Sequence, residues 1–125
     1  VWSFIEKGDA TMWKVELFVT ENGRCPVLEF IDELPEKTQA KTYATFKLVQ
    51  NARPIVPEKF FKKLSGTDLY EVRVLHNKVK YRYLSFFHEG SIIVVAHGFI
   101  KTMAKTPAKE IAVAVKRMKS FLEKS

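Results

Sequence analysis

The stretch "LYEVRVLHNKVKYRYLSFF", residues 69–87, decides how this chain folds. Two runs rich in Val, Leu, Tyr and Phe flank the short polar segment "HNK", and so short a connection forces the two strands to lie antiparallel. Each strand also carries an arginine where a plain core strand would hold an aliphatic residue. If Asn77-Lys78 is a two-residue turn, Arg73 stands directly opposite Arg82, and Glu71 stands opposite Leu84. A three-residue turn over 76–78 turns the two arginines to opposite faces instead. In the first register two cations confront each other, which destabilises a sheet unless an anion sits between them. A phosphate fits that requirement.

Working outward from the hairpin, residues 91–97 form a third strand after the break "HEG", giving an antiparallel meander. Upstream, "MWKVELFVTENG" (12–23) alternates Trp13, Val15, Leu17 and Val19 with Lys14, Glu16 and Phe18, then reaches Asn22-Gly23: a strand followed by a turn. "PVLEFIDEL" (26–34) places Val27, Phe30, Ile31 and Leu34 at helical spacing behind Pro26. Pro35 interrupts it, and a second helix follows with Ala40, Tyr43, Phe46 or Lys47, and Gln50 along its rows, ending near Arg53-Pro54. These two helices are expected to form a hairpin. "PEKFFKKLSG" (57–66) reads as one or two helical turns closed by Gly66. The last segment has Thr106 and Pro107 as a cap-and-proline start, then Ile111, Ala114, Val115, Met118, Phe121 and Leu122 on one face. The expected fold is α+β: a four-stranded antiparallel sheet packed with an N-terminal helical hairpin and a C-terminal helix, in a single domain over 1–125.

Composition narrows the function. The chain has 125 residues, 46% of them hydrophobic and 13% aromatic, enough for one domain with its own core. Its net charge is +7, and the charge is uneven: residues 1–56 hold seven Lys and Arg against eight Asp and Glu, whereas residues 57–125 hold fourteen against six. The basic half contains the hairpin, and clustered basic charge is the footprint of a polyanion or of an acidic protein. Lysines that merely keep a small domain soluble are the competing account. The single cysteine, Cys25, excludes an internal disulfide, and with three histidines it shows no metal-ligand spacing, so no metal or other cofactor is expected. No apolar run approaches the ~20 residues of a membrane helix, and no signal-peptide layout opens the sequence. A cytoplasmic protein without a membrane partner is expected.

The stretches "LYEVRV" (69–74), "YRYLSFF" (81–87) and "IIVVAHGFIKTMAKTPAKEI" (92–111), with "PVLEFIDELPEK" (26–37) more loosely, resemble the RelE/ParE superfamily of bacterial toxins, in particular its HigB-like, phage-derived-protein-like branch. The resemblance runs from Met12 to about Leu122. "VWSFIEKGDAT" at residues 1–11 reads as an extension outside it, from an upstream start or as an added element. Such proteins are the toxin halves of type II toxin–antitoxin pairs, and most cut messenger RNA in the ribosomal A site. The resemblance therefore implies an endoribonuclease, or mRNA interferase, acting without a metal through attack of the 2′-hydroxyl. It also implies a helix-turn-helix antitoxin as partner, in a hetero-oligomer.

Such a reaction needs the scissile phosphate oriented, its extra charge stabilised and protons moved. Arg82, in "YRYLSF", matches the transition-state-stabilising arginine that the resemblance implies, and Arg73 matches a basic position of the same groove; a guanidinium stays charged and binds phosphate bidentately. Lys101 and Lys105 follow the last strand and match the basic rim, with a solvated linker as the plain alternative for Lys105. His97, read as ending its strand, is a candidate acid or base because imidazole titrates near neutrality. Lys80, Lys105 and Tyr83 are the candidate RNA-binding residues. Tyr81 or Tyr83 stacks on an exposed base in one reading and packs in the core in the other. Some relatives use a C-terminal tyrosine for proton transfer or stacking, and this chain has none beyond Tyr83. Glu71, at a position basic in some relatives, forms a salt bridge with Arg73 or alters cleavage preference.

Two further readings stand beside the nuclease. One is a gyrase-poisoning member of the superfamily without nuclease activity. The other is an RNA-binding domain without catalysis, in which alanine at either arginine costs only a modest, salt-dependent loss of affinity.

Overall fold

The structure is a computed structural model that describes residues 2–3, 13–52 and 55–124. Its strands are β1 (Trp2–Ser3), β2 (Lys14–Leu17), β3 (Phe61–Lys63), β4 (Tyr70–His76), β5 (Val79–His88) and β6 (Ile92–Lys101). Its helices are α1 (Pro26–Asp32), α2 (Glu36–Asn51) and α3 (Ala108–Glu123). The strands lie in the order β1-β2-β6-β5-β4-β3, a mixed five-stranded sheet with the two-residue β1 added at its edge. Apart from Trp2–Ser3, which pair with Leu17 and Glu16, the extension read over 1–11 lies outside the described residues.

The α+β class holds, and two details of the expected sheet are corrected. The first long strand is not antiparallel: β2 runs parallel to β6, with Lys14 beside Ile92 and Leu17 beside Val95. A parallel neighbour requires a long crossover, and everything between β2 and β6 supplies it. Nothing in a strand's own pattern reveals which partner it will take. The segment 57–66 is also not a short helix. One turn closes where the Phe60 and Phe61 amides bond to the Pro57 carbonyl, at 2.9 and 3.2 Å, and the chain then extends as β3 along β4. Phe61 stacks on Tyr70 with ring centroids 5.1 Å apart, so burial of that ring decides against the helix.

The central hairpin takes the two-residue turn. Asn77 and Lys78 have φ of 51° and 65°, the paired left-handed geometry of a type I′ turn, and Arg73 faces Arg82 with Glu71 facing Leu84. The three-residue alternative is thereby ruled out. The last strand extends beyond the expected 97 as far as Lys101, so His97 lies inside β6 rather than at its end. A bulge opposite Leu84 and Ser85 inserts one residue in β6, which brings both Ala96 and His97 to the α3 side of the sheet.

Helices cover both faces. One core layer joins Val15, Leu17, Val72, Val74, Tyr81 and Tyr83 of the sheet to Val27 and Ile31 of α1 and Phe46 and Val49 of α2. Each such buried aliphatic side chain contributes about 1.5–3 kcal/mol. The expected helical hairpin is corrected in its packing: α1 rests chiefly on β6 and α2 on β4, so the sheet holds them more than they hold each other. The face of α2 also differs from the expected one. Ala40 is exposed, while Thr38, Thr42, Thr45 and Gln50 are buried. Thr42 and Thr45 satisfy their hydroxyls on the carbonyls of Thr38 and Lys41, and Gln50 accepts the Val15 amide at 2.8 Å. On the other face Phe18, Leu69, Leu84, Phe86, Val94, Ala96 and Phe99 meet Ala114 of α3.

Candidate functional site

Beyond the N-terminal end of α3, the sheet face is left partly open, and there the strands present a cavity of about 460 Å³. Its wall holds five cations, Lys62, Lys63, Arg73, Lys101 and Lys105, and one carboxylate, Glu71. Strand alternation explains the gathering. Residues 71 and 73 of β4 point to one face, as do 80 and 82 of β5, and cross-strand register sets Lys80 against Lys101 and Arg82 against Phe99. Lys101 is the final residue of β6, and the chain carries Lys105 past the opening before α3 begins.

The centre is a buried carboxylate shared by several donors. Glu71, 2% exposed, accepts from Arg73 through Nη2 at 3.2 Å and Nε at 3.4 Å, and its other oxygen accepts the hydroxyl of Thr106. Thr106 was expected to cap α3, but that helix has no side-chain cap, and its hydroxyl serves Glu71 instead. Arg73 also donates to the Glu58 carbonyl at 3.3 Å. Arg82 is 8% exposed and donates from Nη1 to the Tyr81 carbonyl at 3.3 Å. Its Nε lies 3.8 Å from Glu71, too far for a hydrogen bond, and this buried N–H has no partner among the described residues. Arg73 therefore forms part of the cavity wall, while Arg82 sits behind Glu71.

Electrostatics follow from this crowding. Burial pulls the Arg82 pKa below the usual arginine value, the Arg73 charge pulls it further, and Glu71 opposes both. The Lys101 ammonium is likewise held below the ordinary lysine range, first by burial and then by Arg82, Arg73 and Lys80, against the pull of Glu71.

The other candidates separate. Lys80 is exposed on the same face, opposite Lys101, just outside the cavity wall. Tyr83 is wholly buried on the opposite face, packed edge-on to Phe30 and Phe46, with its hydroxyl 3.4 Å from that of Thr42. Burial pushes its phenol pKa up, and no base can reach the ring, so the expected RNA-binding role of Tyr83 is corrected in favour of core packing. Tyr81, 5% exposed, belongs to the same core layer. His97 is not brought to the cavity. Its Nε2 lies 2.9 Å from Glu110, its Nδ1 lies 3.4 Å from Arg117 Nη1, and the ring stacks on Phe99. Because Arg117 offers only N–H donors, Nδ1 is the acceptor and Nε2 carries the proton given to Glu110. Both nitrogens thus tie β6 to α3.

Sequence reasoning missed Lys62, Lys63 and Thr106. The two lysines were hidden in a segment read as helix, and a three-residue strand offers too little alternation to correct that reading.

Residues 29–119 match the family described as Phage derived protein Gp49-like (DUF891), and the chain belongs to this RelE-toxin-like family. A search of curated proteins finds no match to the chain. Among the described residues no helix is long and apolar enough to cross a membrane.

Proposed function

We propose that this protein is a HigB-like toxin of a toxin–antitoxin pair and cleaves messenger RNA on the translating ribosome. The observation that carries the reading is the direct apposition of Arg73 and Arg82 beside a cavity walled by five cations. Glu71 neutralises one of the two facing guanidiniums, and the positive charge that remains around the cavity stabilises a phosphate more as its charge rises in the transition state than in the ground state. Membership in a RelE-toxin-like family supports the same reading.

In this mechanism the ribose 2′-hydroxyl gives its proton to water as its oxygen attacks the adjacent phosphorus and the bond to the 5′-oxygen breaks; the 5′-oxygen takes up a proton, leaving a 2′,3′-cyclic phosphate and a 5′-hydroxyl. Arg73, on the cavity wall, contacts the non-bridging oxygens first. Lys101 handles a proton, since an ammonium held below the ordinary lysine range gives one up more readily to the departing 5′-oxygen. Lys62, Lys63, Lys80 and Lys105 hold the flanking backbone. A helix-turn-helix antitoxin silences the protein by covering this face.

The test is primer extension on a defined message in a translating extract, with wild type, Arg73→Ala and Arg82→Ala, repeated with initiation blocked. New 5′ ends that vanish in the variants and without translation are the expected result. An intact message under a protein that still arrests growth overturns the nuclease reading and directs attention to DNA gyrase.

A further inference from the structure

We propose that Glu71 is a resident counter-anion that masks Arg82 from the groove, so that only a phosphate held firmly by the surrounding cations gains the second arginine. The inference rests on reading the cavity as a phosphate site and adds a residue that sets its selectivity. Glu71 bridges the two arginines unequally: both Arg73 contacts lie within 3.4 Å, whereas Arg82 Nε remains at 3.8 Å. Its second oxygen is spent on Thr106. The carboxylate thus cancels one of two facing charges while leaving a buried Arg82 N–H, 3.8 Å away, without a hydrogen-bond partner among the described residues.

An unpaired buried donor is costly, and a phosphate oxygen at that place removes the cost. Glu71 opposes this entry because like charges repel strongly where solvent is scarce. A weakly held phosphate is turned away. One gripped at the same time by Arg73, Lys101 and Lys105 displaces the carboxylate and gains Arg82 as well. The residue therefore discriminates against loose single-stranded RNA and favours RNA presented in a fixed pose.

The experiment compares wild type, Glu71→Gln and Glu71→Asp, each checked for cooperative unfolding, for binding of pyrophosphate by calorimetry and of a single-stranded RNA oligonucleotide across a salt series. Glutamine keeps the shape and removes the charge; aspartate keeps the charge and withdraws it by one methylene. Pyrophosphate is expected to bind about tenfold tighter to Glu71→Gln, with Glu71→Asp in between. The salt dependence of RNA binding is expected to steepen by about 0.7 in the logarithmic slope for Glu71→Gln. Adding Arg82→Lys to Glu71→Gln should return pyrophosphate affinity toward wild type, because the gain comes from that guanidinium. Should glutamine prevent folding, the aspartate variant carries the test. A folded variant that binds pyrophosphate no tighter than wild type overturns the inference, as does a gain that survives Arg82→Lys. If pyrophosphate follows the expected order while no form binds RNA, the masking role stands and the RNA reading falls.

Discussion

Arg73 and Arg82 face each other across the β4–β5 hairpin, yet one is part of a cavity wall and the other is 8% exposed behind a carboxylate. Equal position in the register does not give equal access. Arg73→Ala should lower cleavage by about 100-fold or more, the usual loss when a donor to a developing charge is removed. Arg73→Lys should recover little of it, since an ammonium lacks the planar fork. Single-turnover rates on ribosome complexes measure both.

The alkaline limb of the rate profile should reveal Lys101. Its pKa is lowered, so an ammonium acting as acid is lost at a pH below the ordinary lysine value, and activity should decline there. Lys101→Arg should move that limb upward, because guanidinium holds its proton. The same shift has a stability sign. The native state disfavours the charged amine, so wild type should gain stability relative to Lys101→Met as pH rises from the depressed pKa toward the unfolded one, and the gap should be constant below that window. Urea unfolding at a series of pH values checks it.

Gly98 is a packing test. A Cβ added there would lie 2.9 Å from both the Phe30 and Tyr83 rings, which close over the glycine from α1 and β5. Gly98→Ala should cost about 1–3 kcal/mol through overpacking, with the cavity cations untouched. Denaturant midpoints at constant slope would show it.

The hairpin turn offers the opposite sign. Lys78 holds φ of 65°, a region that only glycine enters freely, and Lys78→Gly should stabilise the protein by about 1 kcal/mol. A thermal melt that falls instead would mean that Lys78 makes a compensating contact.

Much of this was legible in the sequence for a local reason. The hairpin itself follows from a few adjacent residues, but its sequence left two registers open, and the positive φ of Asn77 and Lys78 decides for the one that sets Arg73 opposite Arg82. Strand alternation then brings Glu71, Arg73 and Arg82 to one face. What escaped depends on distant partners. Pairing β2 alongside β6, Phe61 stacking on Tyr70, and the Thr106 hydroxyl reaching Glu71 across 35 positions are decided by tertiary neighbours that no local pattern encodes. The face of α2 escaped because threonine reads as polar, although its hydroxyl can be satisfied within the helix.

The parallel pairing of Lys14 with Ile92 also governs when the molecule comes into being. During synthesis β2 emerges long before its partner exists, and the loop that must close between them spans most of the chain. Lys101 and Lys105 are made later still. The basic cavity therefore cannot assemble until β6 and the segment behind it have both been made, so the site is among the last parts of the described fold to form.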